Sequence, residues 1–166
     1  MKARLGGAAA GLFLAAANGA AAQPLRIMAL DQCADQYVLA LAPDAELALS
    51  PRARVPDSWM REAARGRRTV RPTLEGAIGF APDVVVRYWG GDQRMLDALE
   101  RRGVRIVTIA DQTEMSGVRD NLRAVATGLN QPARGEALIA RMDRQLARAE
   151  RPAAPDRTAL YLTAGG

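Results

Sequence analysis

The chain has 166 residues, 49% of them hydrophobic and 25% charged, which is a globular balance and not that of a disordered tail. That length supports one hydrophobic core and is too short for two ordinary domains. Histidine is absent and Cys33 is the only cysteine. These absences remove Ser-His-Asp and Cys-His catalysis, imidazole acid–base chemistry, histidine metal sites and any intrachain disulfide.

Residues 1–22 read as an export signal. Lys2 and Arg4 form a short positive region, an apolar run follows over 5–17, and Ala20, Ala21 and Ala22 supply small residues before Gln23. The apolar run is shorter than the ~20 residues that span a bilayer. Asp31 stands where a lipoprotein site would want a small residue before Cys33, so lipid anchoring is not expected. Without Lys2 and Arg4 the net charge falls from +5 to +3, and every remaining basic residue is arginine. For Cys33, burial is the expected state, since an exposed thiol is a liability in an oxidising compartment.

Residues 25–30 form an apolar stretch broken only by Arg26, and predict a first strand. Asp31 is placed to cap a helix whose apolar side holds Ala34, Val38, Leu39 and Leu41, ended by Pro43-Asp44. A second strand is expected at 47–49. A charged, proline-rich loop over 50–56 then leads to a helix reaching about Arg65, with Trp59 and Met60 as its apolar contacts.

Thr73 is a natural N-cap, Glu75 falls in the positive first turn, and Leu74, Ala77 and Ile78 share a helical face. Val84, Val85 and Val86 suit a strand covered on both sides. Tyr88-Trp89-Gly90-Gly91-Asp92 turns the chain into a helix with Met95, Leu96 and Leu99 inside, ending near Gly103. Residues 104–109 predict another strand.

Val118, Leu122, Val125 and Leu129 make one helical stripe, and Ile139, Met142, Leu146 and Ala149 make a second over 132–151. Pro152 and Pro155 stop that helix, and a last strand is expected at 159–162. Strands alternating with helices imply an α/β class fold, a three-layer sandwich around a mostly parallel sheet.

Arginines cluster at Arg65, Arg67, Arg68 and Arg71, and again at Arg101, Arg102 and Arg105. No aromatic residues alternate with them as stacking platforms, so no nucleic acid is expected. A solvated face is the plain reading, with an anionic ligand or a partner surface as the alternative. Asp31, Asp35 and Asp92 lie near strand ends, so a metal-dependent hydrolase fragment and a non-transport interaction module are the alternative functions. Nothing in their spacing fixes a metal site, and Gly90-Gly91 belongs to no phosphate-binding glycine motif.

Four segments carry a resemblance. They are the stretch from Pro24 to Asp35, the Pro72-Thr73-Leu74-Glu75 to Val86 helix–Pro-Asp–strand unit, the Leu99 to Val107 helix–Gly–strand unit, and the run from Asn121-Leu122-Arg123 into Gly135-Glu136-Ala137-Leu138-Ile139. Together they resemble the first lobe of the helical-backbone (class III) periplasmic substrate-binding proteins of ABC importers, which serve cobalamin, siderophore and haem uptake. The resemblance implies a signal peptide at 1–22, an α/β lobe at 23–131, a long interlobe helix at 132–151, and a linker with the start of a truncated second lobe at 152–166.

It also implies a binding protein and not an enzyme, with no cofactor, no resident metal and no catalytic residues. The expected protein is a periplasmic monomer that captures a corrinoid, ferric siderophore or haem and delivers it to permease subunits. Ligand contacts are expected from Tyr88, Trp89, Arg87, Asp31, Gln32 and Trp59, and permease docking from Glu75. Residues alone leave other roles open: local packing for Tyr88 and Trp89, capping for Asp31, a solvated side chain for Arg87, and favourable charge at a helix start for Glu75. Asp35 and the 51–56 loop are placed at the same mouth.

Overall fold

The computed structural model describes residues 23–149. Five strands run parallel in one sheet: β1 (Arg26–Ala29), β2 (Glu46–Leu49), β3 (Arg68–Thr69), β4 (Val84–Arg87) and β5 (Arg105–Thr108). Five helices connect or follow them: α1 (Gln32–Leu41), α2 (Leu74–Phe80), α3 (Gln93–Glu100), α4 (Met115–Gly128) and α5 (Pro132–Ala149). The order across the sheet is β3-β2-β1-β4-β5. The chain therefore winds outward from β1 in one direction, then returns to lay β4 on the other side of β1.

Alternating side chains divide the sheet between two cores. Ile27, Ala29, Leu47, Leu49, Val84 and Val86 pack against α1 and α4 through Val38, Leu41, Val125 and Leu129. Met28, Leu30, Ala48 and Val85 face Ala77, Phe80, Met95, Leu96 and Leu99 of α2 and α3. This is the three-layer sandwich that the alternation of elements predicts. Val84-Val85-Val86 is buried on both faces, as a central parallel strand requires.

Short polar side chains start three helices as read from the sequence. The Ala34 amide donates to Asp31 at 2.9 Å, the Gly76 amide to Thr73 at 3.1 Å, and the Met95 amide to Asp92 at 2.8 Å. Arginines line the amino end of the sheet. Arg26 pairs with Glu46 at 3.3 Å, donates to the Phe80 carbonyl, and lies over the Phe80 ring. Arg68 covers the same ring, and Arg105 donates to the Gly128 carbonyl at 2.7 Å.

Three expectations need correction. No helix forms across 57–65, and residues 51–66 instead wind through successive turns. Most of their backbone bonds close after three residues, as in Ser58 to Val55 and Arg61 to Ser58, and Gly66 at φ +72° leaves the winding. Buried Ala53, Ser58 and Ala64 anchor the strip to the sheet, Met60 packs partly buried on the same core, and Trp59 points out. Strand β3 is a further departure, since two arginine-flanked residues give no periodic signal. Ile78 is exposed and Phe80 is buried in its place. The expected strand at 159–162 and the signal at 1–22 lie outside the described residues.

Candidate functional site

In a doubly wound sheet the winding reverses at one point, and the loops there splay apart to leave a crevice at the carboxyl ends of the strands. Here that point lies between β1 and β4. The loop after β1 carries Asp31 and Gln32, and the loop after β4 carries Tyr88, Trp89 and Gly90.

Asp31 ties the two loops together. Its side chain caps α1 and also accepts the amides of Tyr88 at 2.7 Å, Trp89 at 3.1 Å and Gly90 at 3.0 Å. The residue is 1% exposed. Its carboxylate is thus consumed by backbone donors and presents no free oxygen, so Asp31 positions the loop where the sequence reading had it meet a ligand. A buried carboxylate with this many amide partners is a rigid anchor.

Glycine is required beside it. A Cβ on Gly90 would stand 2.6 Å from the Leu30 carbonyl oxygen and 2.7 Å from Leu30 Cβ. Gly91 follows at φ +81°, a conformation that side chains disfavour. Arg87 is half-buried and its Nε donates to the Gly90 carbonyl at 2.7 Å, so it stiffens the same turn.

The loop so held presents aromatics. Trp89 is 59% exposed. Tyr88 is half-buried, and its hydroxyl donates to Asp111 at 2.9 Å, which pushes the phenol upward in pKa. Beside it runs a shallow groove of about 280 Å³ lined by Cys33, Tyr37, Tyr88, Asp111 and Asn121. Cys33 is half-buried, short of the burial expected for it. Its thiol is raised by burial, then by Asp31 and Asp35, and Tyr37 is raised by burial first. Groove and loop therefore offer a protonated thiol and phenols beside the Asp111 carboxylate.

Gln32 is half-buried and accepts from Arg52 Nε at 3.2 Å, linking this mouth to the strip that follows β2. Trp59 stands on that strip, 87% exposed. Asp35 is fully buried and does not reach the mouth. It accepts from the Ser50 amide at 2.8 Å and hydroxyl at 2.6 Å, clasping α1 to the end of β2. Burial raises its pKa to about 6 against the lowering effect of those bonds. Glu75 is exposed in the first turn of α2.

The carboxylates weighed for a hydrolase are thus occupied separately, Asp31 and Asp92 as caps and Asp35 on Ser50. Among the described residues no group of three metal-ligating side chains converges. Sequence reasoning missed Asp111, Tyr37 and the groove. Asp111 does follow a strand, but nothing local announces that β5 neighbours β4.

An α/β lobe with a rigid aromatic loop at its switch point is the architecture of a ligand-binding half-module. The Periplasmic binding protein family matches residues 27–166, and the chain belongs to that family. Members of that family are periplasmic binding proteins.

Solved structures agree in fold. A periplasmic heme binding protein from Pseudomonas aeruginosa superposes with a TM-score of 0.61 at 23% identity, covering 75% of this chain and 45% of that one. The periplasmic heme binding protein HutB of Vibrio cholerae gives 0.64 at 19%, covering 79% and 52%. The vitamin B12 binding protein BtuF of Vibrio cholerae gives 0.57 at 22%, covering 75% and 49%. The chain spans about half the length of these structures. No curated protein matches it.

Proposed function

We propose that this chain supplies the first lobe of the substrate-binding component of an ABC importer, and that its cargo is a corrinoid or an iron chelate such as a ferric siderophore or haem. The observation that carries this reading is the exposed Trp89 on the loop after β4, its amide held by buried Asp31 at the β1/β4 switch point. An indole with a fixed backbone offers a broad flat surface to a macrocycle or chelate at little cost in conformational freedom. Tyr88 extends that wall, Gln32 borders it, and Arg87 fixes its turn.

Glu75 is the proposed docking residue, exposed and free to meet arginines of a permease subunit. In this reading 1–22 is an export signal cleaved before Gln23, 23–131 is the lobe, α5 opens the interlobe connection over 132–151, and 152–166 leads toward a second lobe.

One lobe leaves much of such a ligand in water, so weak binding is expected from residues 23–166 alone. Calorimetry with cyanocobalamin and iron(III) protoporphyrin tests this. A chimera carrying the second lobe of a relative should gain at least ~100-fold in affinity for one of them. Failure of that chimera, correctly folded, to bind any corrinoid or iron chelate would overturn the reading. Glu75→Arg should leave ligand affinity unchanged and abolish transport in a cognate importer.

A further inference from the structure

The cargo reading leaves unused the most strongly charged segment of the chain. Residues 51–71 hold seven arginines against Asp57 and Glu62, a net charge of +5. Residues 23–166 as a whole carry only +3, so everything outside this segment sums to −2. The positive excess of the protein is therefore one surface feature and not a general background.

It starts at the cargo mouth, where Arg52 meets Gln32 at 3.2 Å, and runs away from it. The segment leaves the carboxyl end of β2 and must descend the flank of the sheet to begin the parallel edge strand β3. Ala53, Ser58 and Ala64 are its buried inward anchors. Arg54, Arg61 and Arg65 with Pro56 and Glu62 surround an open hollow of about 350 Å³ on that flank. Arg54 reaches the Arg67 carbonyl at 3.5 Å, and Arg67 reaches the Pro43 carbonyl at 2.7 Å, toward the amino end of the sheet. Glu62 is shared between Arg61 and Arg65, at 3.7 and 2.9 Å. The cationic charge is thus only partly neutralised among the described residues. Trp59 stands out from the same strip between Arg54 and Arg61, the most exposed large apolar side chain described.

We propose that this flank is a landing surface for anionic phospholipid headgroups. Guanidinium forks match phosphodiester oxygens. An exposed indole beside them partitions to the boundary between headgroup and acyl chain, where its apolar body and polar N–H are both accommodated. Basic side chains near an anionic bilayer act additively, and salt screens them. The device would hold the protein loosely at the membrane, through residues other than Tyr88 and Trp89. Charge alone would fit an acidic protein as well, and the indole at the centre of the cationic strip is what favours the bilayer.

The test uses residues 23–166, which contain every described element, and vesicles of phosphatidylglycerol and phosphatidylcholine. Sedimentation with the mixed vesicles is expected at 50 mM NaCl, at least ~10-fold stronger than with phosphatidylcholine alone and lost at 500 mM. Trp59 and Trp89 are the only tryptophans. In Trp89→Phe the remaining indole should shift its emission to the blue on mixed vesicles, and in Trp59→Phe it should not. Arg54→Gln/Arg61→Gln/Arg65→Gln should weaken sedimentation at least ~10-fold with an unchanged circular dichroism spectrum. Equal binding to neutral vesicles, an unshifted Trp59, or indifference to the triple substitution would each overturn the proposal. So would displacement by inorganic phosphate at matched ionic strength, or binding to polyglutamate with none to vesicles.

Discussion

The two ends of the sheet are built from similar residues and do opposite things. At the amino end, Arg26 is engaged by Glu46 and by the Phe80 carbonyl and ring, and its amide by Asp83 at 2.8 Å. Most polar groups there are paired, although the buried Arg26 Nε has no hydrogen-bond partner among the described residues. At the carboxyl end a single buried carboxylate, Asp31, collects the amides of Tyr88, Trp89 and Gly90, and this frees the side chain of Trp89 to face outward. At the amino end the charges stay partly exposed, the Arg26 and Glu46 side chains at 37% and 43%. At the carboxyl end the Asp31 carboxylate is buried at 1% exposure and passes rigidity through three loop amides to side chains left in solvent.

The largest break in this contrast should come from Asp31→Ala. It strands a helix cap and three amides, and is expected to cost about 3–5 kcal/mol by urea unfolding, with loss of order at 88–90. Arg26→Ala should cost less, about 1.5–3 kcal/mol, as expected for hydrogen bonds to a charged group. Because it acts at the amino end, it should leave the environment of Trp89 unchanged, as read by fluorescence.

Asp35 gives an intermediate, pH-dependent effect. Its pKa is about 6 in the folded chain against 3.8 for a free aspartate side chain, so the folded state holds the proton more tightly. The stabilisation is full below pH 3.8 and is lost as pH rises through about 6, where the buried carboxylate ionises. Asp35→Asn should flatten this slope in unfolding curves taken from pH 4 to 7. Trp89→Ala should have the smallest effect on stability, within about 0.5 kcal/mol for an exposed side chain, while removing the proposed ligand wall.

The two edges also differed in how far the sequence disclosed them. Val84-Val85-Val86, the caps at Asp31, Thr73 and Asp92, and the helical stripe through Val125 and Leu129 announced the layers directly, because periodicity and capping are local properties. Tyr88 and Trp89 were legible as a loop after a buried strand. What Asp31 does was only half legible: its cap is local, but its three amides lie 57 to 59 residues away, and pairing across a sheet leaves no trace in spacing. The 57–65 segment misled because Asp57 and Ser58 are good helix caps and Trp59 and Met60 follow as apolar residues. The structure buries small Ala53, Ser58 and Ala64 instead, which no hydrophobic pattern marks.

The most direct test of the carboxyl edge as the binding edge is a titration of 15N-labelled residues 23–166, followed through the two indole signals and the backbone amides. The probes are cyanocobalamin and gallium(III) protoporphyrin, the latter a diamagnetic stand-in for the iron chelate. The account predicts that one of them moves the Trp89 indole and the amides of 88–90, while Trp59 and the amides of Arg26 and Asp83 stay in place. Shifts confined to the amino end, or to Trp59 alone, would contradict it.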